Sequence, residues 1–414
     1  MAMTTQTKKI AGATTALVLL TALNFVNYID RYILPAVQEQ VKHEFLLSDA
    51  QIGSLTMWFM VAYIAISPVT GWLGDRFPRK HLIVVCALLI AACNFFTAHV
   101  TSFGSLNFRH AMLGIGEASF GIFAPALLAD FYASDKRNRV MTIFNIALPV
   151  GSAIGYLTGG LIGHSHGWRT AFVISAIPGA IIGILILFFL REPERMREEV
   201  TGTKPSAGVG SLLRNPAYLC AILGYAAVTF SIGGISVWMP SFLQRMNGYD
   251  EAQAAGVMGP IIVVAGLGGT VVGGIFAERW LRRTSKALYY VPALGSLLTV
   301  PVALASFFGP RSITLPALSV AIFFHFLGTG PVNAATLNSV PATLRAMAMA
   351  GQLLVIHLLG DTFSPAIIGG ISDRSNLRIG LAATLITYLL GAGIFYMGAR
   401  YASSSGQKPV EAAA

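Results

Sequence analysis

Gly71-Trp72-Leu73-Gly74-Asp75-Arg76-Phe77-Pro78-Arg79-Lys80 recurs in degraded form as Gly274-Ile275-Phe276-Ala277-Glu278-Arg279-Trp280-Leu281-Arg282-Arg283. The two copies start 203 residues apart, about half the 414-residue chain. Each follows one long apolar segment and precedes another. A short loop with glycine first, then an acid, then a basic cluster, lets two membrane helices approach closely at a charged water interface. Two such loops half a chain apart imply two equivalent halves, an organisation shared by many secondary transporters.

Composition points the same way. Charged residues make up only 11% of the chain, against about 25% in a soluble domain, and the mean hydropathy is +0.67. Twelve apolar stretches are long enough to cross a bilayer as helices: approximately 13–36, 50–74, 80–100, 103–130, 138–163, 168–190, 215–244, 252–280, 286–308, 312–335, 343–371 and 376–400. Lipid offers backbone groups no partners, so these segments are helical. The predicted architecture is all-α integral membrane. It has an N-terminal six-helix bundle at 1–191, a cytoplasmic linker at 192–214 and a C-terminal six-helix bundle at 215–414. Within the linker, Glu192 to Glu199 is expected to form a short surface helix and Thr201 to Ser211 to be flexible.

The net charge of +10 raises the possibility of a nucleic-acid surface. Sorting the basic residues along the chain removes it. With the N-terminus inside, 20 of the 28 Lys and Arg fall in inner segments and 6 in outer ones, with Arg31 and Arg109 left within helices. The positive-inside rule then puts both termini in the cytoplasm. The first apolar segment is too long for a cleavable signal and reads as a mature helix. Cys86, Cys93 and Cys220 lie in apolar segments and suggest packing rather than a disulfide framework.

No phosphate-binding loop, nucleophile elbow or zinc-binding His pair occurs. His164 and His166 are too isolated to argue for a metal. Transport would therefore need no cofactor and would draw on an ion gradient, most simply protons.

Charges at membrane depth are costly and mark candidate sites. The first half has four: Asp30 and Arg31 on helix 1, Arg109 and Glu117 on helix 4. Arg109 and Glu117 stand eight residues apart, about 12 Å along a helix, so their partners must come from another helix. Asp30 and Arg31 are the available ones, with Asp30 and Arg109 both expected in the outer half of the bilayer. The set sums to zero when ionised, and protonating either acid leaves a positive site suited to an anionic head group. For Glu117, burial favours the neutral acid and a neighbouring Arg the carboxylate. A static role, pairing helices 1 and 4, is the competing reading. In the second half, Asp361 and His357 share a helix face ahead of Ser364-Pro365, and His325 precedes Gly328-Thr329-Gly330-Pro331. Gly151, Gly155 and Gly159 form a stripe for close packing or sliding. Phe230, Trp238, Phe323, Phe324 and Phe326 would suit an apolar tail.

The loops at 71–80 and 274–283, and Arg109 followed by Gly114, Gly116 and Glu117, resemble the major facilitator superfamily. More narrowly, Asn27 to Tyr32 (NYIDRY), Gly114 to Phe120 (GIGEASF), Gly167 to Arg169 (GWR) and His357 to Pro365 (HLLGDTFSP) resemble the spinster family. The likeness spans about residues 20 to 390. It implies alternating access, a lysophospholipid or sphingoid-phosphate type of substrate, and proton coupling through Asp30 and Glu117 beside Arg31 and Arg109. It also implies an inner gate in which Asp75 meets the start of helix 11, Arg79 pairs with Asp130 and Arg76 supports them. Glu278, Arg279 and Arg283 are expected to form the second lock opposite helix 5, although that copy has Glu for Asp and no Pro. The short termini suggest a bacterial inner-membrane member, expected to be monomeric among membrane lipids. The alternatives are an organic-anion or drug transporter with Arg31 and Arg109 on a carboxylate and, more remotely, a lipid-modifying membrane enzyme.

Overall fold

The computed structural model describes residues 12–132, 134–193 and 209–402. Among the described residues, twelve helices are long and apolar enough to cross a membrane: α1 (Ala13–Phe45), α2 (Asp49–Arg76), α3 (Arg79–Thr97), α4 (Phe103–Phe131), α5 (Arg139–His166), α6 (Trp168–Phe189), α7 (Pro216–Asn247), α8 (Glu251–Leu281), α9 (Ala287–Phe308), α10 (Arg311–Asn338), α11 (Met347–Arg374) and α12 (Leu377–Tyr401). Several run past the apolar stretch that betrays them. The 33 residues of α1 span about 50 Å, well beyond the roughly 30 Å of hydrocarbon. Lys42, expected in a loop, therefore sits in the last turn of α1.

Punctuation follows local chemistry. Leu46 closes α1 in the left-handed region at φ 52°, and Ser102 caps α4 by accepting from the Ser105 N–H at 3.2 Å. The break expected near Gly328 is present, with helical segments Arg311–Phe326 and Thr329–Asn338. Within α11, residues Ile356–Asp361 form a π-helical turn. Pro365 cannot donate to the carbonyl four residues back, and the widened turn precedes it. Most of the expected helix from Glu192 to Glu199 and of the stretch from Thr201 to Ser211 falls outside the described residues. Arg191 to Pro193 are not helical and Val209–Leu212 is a short helix. Residues 194–208 of the linker lie outside the described residues.

Two compact units emerge, and they do not coincide with the halves of the sequence. One comprises Met1–Leu47, Trp58–Val200 and Tyr249–Gly259; the other comprises Ser48–Met57, Thr201–Gly248 and Pro260–Ala414. The first turns of α2 and α8 thus belong to a different unit from the rest of their helices.

In the first unit, the glycine stripe of α5 sets α1 in place. A Cβ at Gly155 would stand 3.0 Å from the Ile29 Cα, and one at Gly159 would stand 3.1 Å from the Ile33 Cα. Backbone-to-backbone approach of this kind needs small residues, and it fixes the part of α1 that carries Asp30 and Arg31. An apolar core that includes Leu20, Ile83, Phe120 and Leu127 lies among α1, α3 and α4. In the second unit, Gly233 plays a comparable part. A Cβ there would meet Asp361, the Cα at 2.9 Å, so α7 lies hard against the π-helical turn.

Candidate functional site

The motif Gly114-Ile115-Gly116-Glu117 divides its work among three neighbours. A Cβ at Gly114 would run into the Phe59 carbonyl of α2, and one at Gly116 would stand 2.7 Å from Ile90 of α3. With α4 pressed against both, Glu117 turns to α1. Glu117 is the central residue of α4, and Asp30 and Arg31 follow the centre of α1. All three lie close to the mid-length of their helices.

Arg31 donates to the Glu117 Oε2 from Nε at 2.8 Å and from Nη2 at 2.5 Å. The Glu117 side chain is 3% exposed and that of Arg31 28%. The guanidinium also lies over the rings of Tyr28, Phe59 and Tyr63, at 5.4, 5.1 and 5.7 Å, an arrangement that favours a delocalised cation. The second Glu117 oxygen is buried and, among the described residues, has no hydrogen-bond partner.

Asp30 does not join this pair. It is 2% exposed and points to α3 and α6, where Asn94 and Ser175 lie beside its carboxyl. Neighbouring residues on a helix diverge by about 100°, so Asp30 and Arg31 face different helices. Among the described residues Arg109 forms no salt bridge with either acid; its guanidinium lies 5.1 Å from the Phe96 ring. The four charges therefore form one ion pair, one buried acid and one cation eight residues nearer the start of α4, not a single network. The flanking side chains Tyr28, Phe59, Tyr63, Asn94 and Ser175 went unnoticed in the sequence. The one signal for Asn94 was an amide within an otherwise apolar span.

The loop between α2 and α3 is built from the sequence quoted first. Arg79 pairs with Asp130 and also donates to the Gly74 and Ala126 carbonyls, each at 3.3 Å. Arg76 stacks on Trp72, 4.1 Å from the ring centroid, and Asp75 is exposed at the end of α2. Glu192, expected only as the start of a surface helix, accepts from the Arg79 and Lys80 N–H groups at 2.9 and 2.7 Å. A carboxylate there satisfies orphan donors at the positive end of α3.

Within its own unit the degraded copy makes no matching pair. Glu278, Arg279 and Arg283 are exposed, and among the described residues none makes a salt bridge. Two causes are visible. Without a proline, α8 continues to Leu281, whereas α2 stops at Arg76, so Arg282, the counterpart of Arg79, does not open the following helix as Arg79 does. In addition, α10 carries no acidic residue where α4 has Asp130 in its last turn.

In the second unit, His357 Nδ1 lies 3.0 and 3.1 Å from the Asp361 carboxylate oxygens, both side chains about a quarter exposed. His325 is 8% exposed and shares a hydrogen bond of 3.0 Å with the Tyr388 hydroxyl, a satisfied core histidine. Trp238 is likewise fully buried, donating to the Pro365 carbonyl at 2.8 Å, and so is not available to line a tail site.

The displaced first turns of α2 and α8 each begin with an acid, Asp49 and Glu251, at matching places in the two copies. Arg245 of α7 binds Asp49 through both amino groups, at 2.7 and 2.9 Å. Ser372 donates to Asp49 at 2.6 Å, and Asp373 accepts from the Asp49 and Ala50 N–H groups at 2.8 and 2.9 Å. Glu251 is 8% exposed and receives a hydrogen bond from Gln40, whose amide also binds the Gly163 carbonyl and the Trp168 N–H, both at 2.8 Å. The first acid thus meets a cation and the second an amide.

Residues 20–351 match the Major Facilitator Superfamily. Protein spinster homolog 3 of Danio rerio is 30% identical over 386 residues, covering 86% of this chain and 76% of that protein. Protein spinster homolog 1 of Homo sapiens is 30% identical over 383 residues, covering 85% and 71%. The crystal structure of a bacterial homolog to the human lysosomal transporter spinster, inward-facing and unoccupied, has a TM-score of 0.87 at 23% identity, over 97% of this chain and 99% of that one. That of a D-xylose-proton symporter has a TM-score of 0.73 at 17% identity, over 92% of this chain and 97% of that one. At these identities the structural likeness concerns the fold. With twelve membrane-crossing helices, the major facilitator fold and relatives of this kind, the chain is a multi-pass membrane transporter and belongs to the spinster family.

Proposed function

We propose that the chain is a proton-linked secondary transporter that moves an amphipathic, lysolipid-like molecule by alternating access. The observation that carries this reading is the Arg31–Glu117 pair at mid-helix, walled by three aromatic rings. A paired guanidinium is silent toward anions while its carboxylate is charged. Adding a proton to Glu117 removes the competing charge and frees Arg31 for a phosphate or carboxylate head group. Asp30, buried without a cation, is the second acid able to exchange a proton. The resemblance to the spinster family implies a lipid-like ligand, and the absence of any charged side chain between Asn247 and Glu278 other than Asp250 and Glu251 leaves a long apolar stretch compatible with an acyl tail.

Arg79 with Asp130, and the acids that open α2 and α8, would be the contacts made and broken as the transporter alternates. In a bacterial inner membrane, both termini would face the cytoplasm. An organic-anion porter would use the same Arg31. The two readings separate in proteoliposomes under an inward proton gradient. Labelled lysophospholipid should enter, and a hundredfold excess of soluble dicarboxylate should leave its entry unchanged. Uptake of the dicarboxylate itself, with no lysolipid movement, would contradict the lipid assignment.

A further inference from the structure

On the side of α1 away from Arg31, three helices meet around Asp30. Their register is set by Gly179 of α6, where an added Cβ would stand 3.7 Å from Val26 of α1 and 3.9 Å from Ala91 of α3. About one turn along from these three residues lie Ser175, Asp30 and Asn94, and Asn94 and Ser175 flank the Asp30 carboxyl. Asn27, three residues before Asp30, shares its helix face.

All four are buried: Asp30 is 2% exposed, Asn94 1%, Asn27 4% and Ser175 7%. Among the described residues, Asp30 Oδ1 and both polar atoms of the Asn27 and Asn94 amides make no well-formed hydrogen bond, although the Asn94 and Ser175 side chains come within reach of the Asp30 carboxyl. The Ser175 hydroxyl donates to the Phe172 carbonyl at 3.1 Å, which leaves its oxygen lone pairs to accept. Arg31, the nearest cation in sequence, is committed to Glu117. Unpaired polar atoms at this depth are costly, so the group of them marks a place for something that binds oxygen.

The donor set defines what fits. Its atoms are hard oxygens: one carboxylate, two amide carbonyls and one hydroxyl. Among the described residues no three His, Cys, Asp or Glu side chains converge as a transition metal would need. Calcium and magnesium draw on several oxygens with more negative charge. One carboxylate with neutral oxygens balances a single positive charge. We propose that Asp30, Asn94, Ser175 and Asn27 form a binding site for a small monovalent cation of the size of sodium. The inference rests on the reading of Asp30 as the ion-exchanging acid of the transport cycle.

The test is thermal unfolding of the purified full-length chain at pH 8 in detergent, with NaCl titrated against equal concentrations of KCl or choline chloride. The unfolding midpoint should rise saturably with sodium alone. Asp30→Asn should abolish the rise, and Asn94→Ala or Ser175→Ala should weaken the apparent affinity at least tenfold. No sodium-specific rise, or the same rise in every variant, would overturn the site. If Asp30→Asn does not fold, radiolabelled sodium binding to the wild type and to Asn94→Ala in nanodiscs decides: equal or absent binding overturns it. A sodium-insensitive protein in which Asp30→Asn still abolishes pH-gradient-driven transport overturns the site and leaves the proton reading standing. Sodium-dependent stability with unaltered transport in Asp30→Asn supports the site and removes the proton role of Asp30.

Discussion

Breaking the Arg31–Glu117 pair from each side and then from both gives the clearest energetic test of the geometry. At 2.8 Å and an effective dielectric of about 20, the gross Coulomb attraction is about 6 kcal/mol. Most of that is offset by the several kcal/mol it costs to desolvate each ion. Removing one partner strands the other, typically at a cost of about 3–5 kcal/mol. The two directions differ in burial. Glu117→Gln leaves a guanidinium whose side chain is 28% exposed, so water relieves part of the loss and about 2–3 kcal/mol is expected. Arg31→Met leaves a carboxylate that is 3% exposed, and about 3–5 kcal/mol is expected. The double variant strands nothing and should lose only about 1–2 kcal/mol, a coupling of about 3 kcal/mol or more. Reversible unfolding in mixed micelles at pH 7.5 measures all four proteins. Additivity within about 0.5 kcal/mol would refute the buried pair.

The two copies of the loop motif should respond differently to the same change. Arg79→Ala, losing Asp130 and two carbonyls, should cost about 1–3 kcal/mol, whereas Arg283→Ala should stay within about 0.5 kcal/mol, both read by the same unfolding assay. The acids that open α2 and α8 should also part company. Asp49→Asn, which weakens a bidentate bond to Arg245, should lower the unfolding midpoint, and Glu251→Gln, which keeps an acceptor for Gln40, should leave it unchanged or raise it. At Gly369, a Cβ would strike the Asp49 carbonyl and lie 2.7 Å from the Ala50 nitrogen. Gly369→Leu should therefore destabilise by at least about 1–3 kcal/mol, and a stability equal to wild type would mean that α2 does not dock there.

Much of this molecule could be read before any coordinates. Twelve apolar runs became twelve helices because lipid allows an isolated span no other way to pair its backbone. Glu117 had to find a cation on another helix, and Arg31 is that cation. Arg109 misled because the reading placed four charges by helix alone. Eight residues along α4 move a side chain two turns away, and 100° between Asp30 and Arg31 sends them to different neighbours. The partners of Asp30 were illegible for a related reason: which face of α3 and α6 turns inward depends on Gly179 meeting Val26 and Ala91, a contact between distant segments. The repeat preserves the position of the basic cluster but not the partners available to it within its own unit. Without a proline in its own loop and an acid in α10, the same basic cluster lacks the pairing that Arg79 makes with Asp130.

The central claim is that Glu117 and Asp30 exchange protons in step with movement of the ligand. Proteoliposomes with wild type, Asp30→Asn or Glu117→Gln, loaded with a pH-sensitive dye and given labelled lysophospholipid, measure both fluxes in one vesicle. Wild type should acidify its lumen as lysolipid enters, and each variant should lose gradient-driven accumulation, with Glu117→Gln retaining only downhill exchange. Variants that still accumulate lysolipid against its gradient at the wild-type rate would contradict the account.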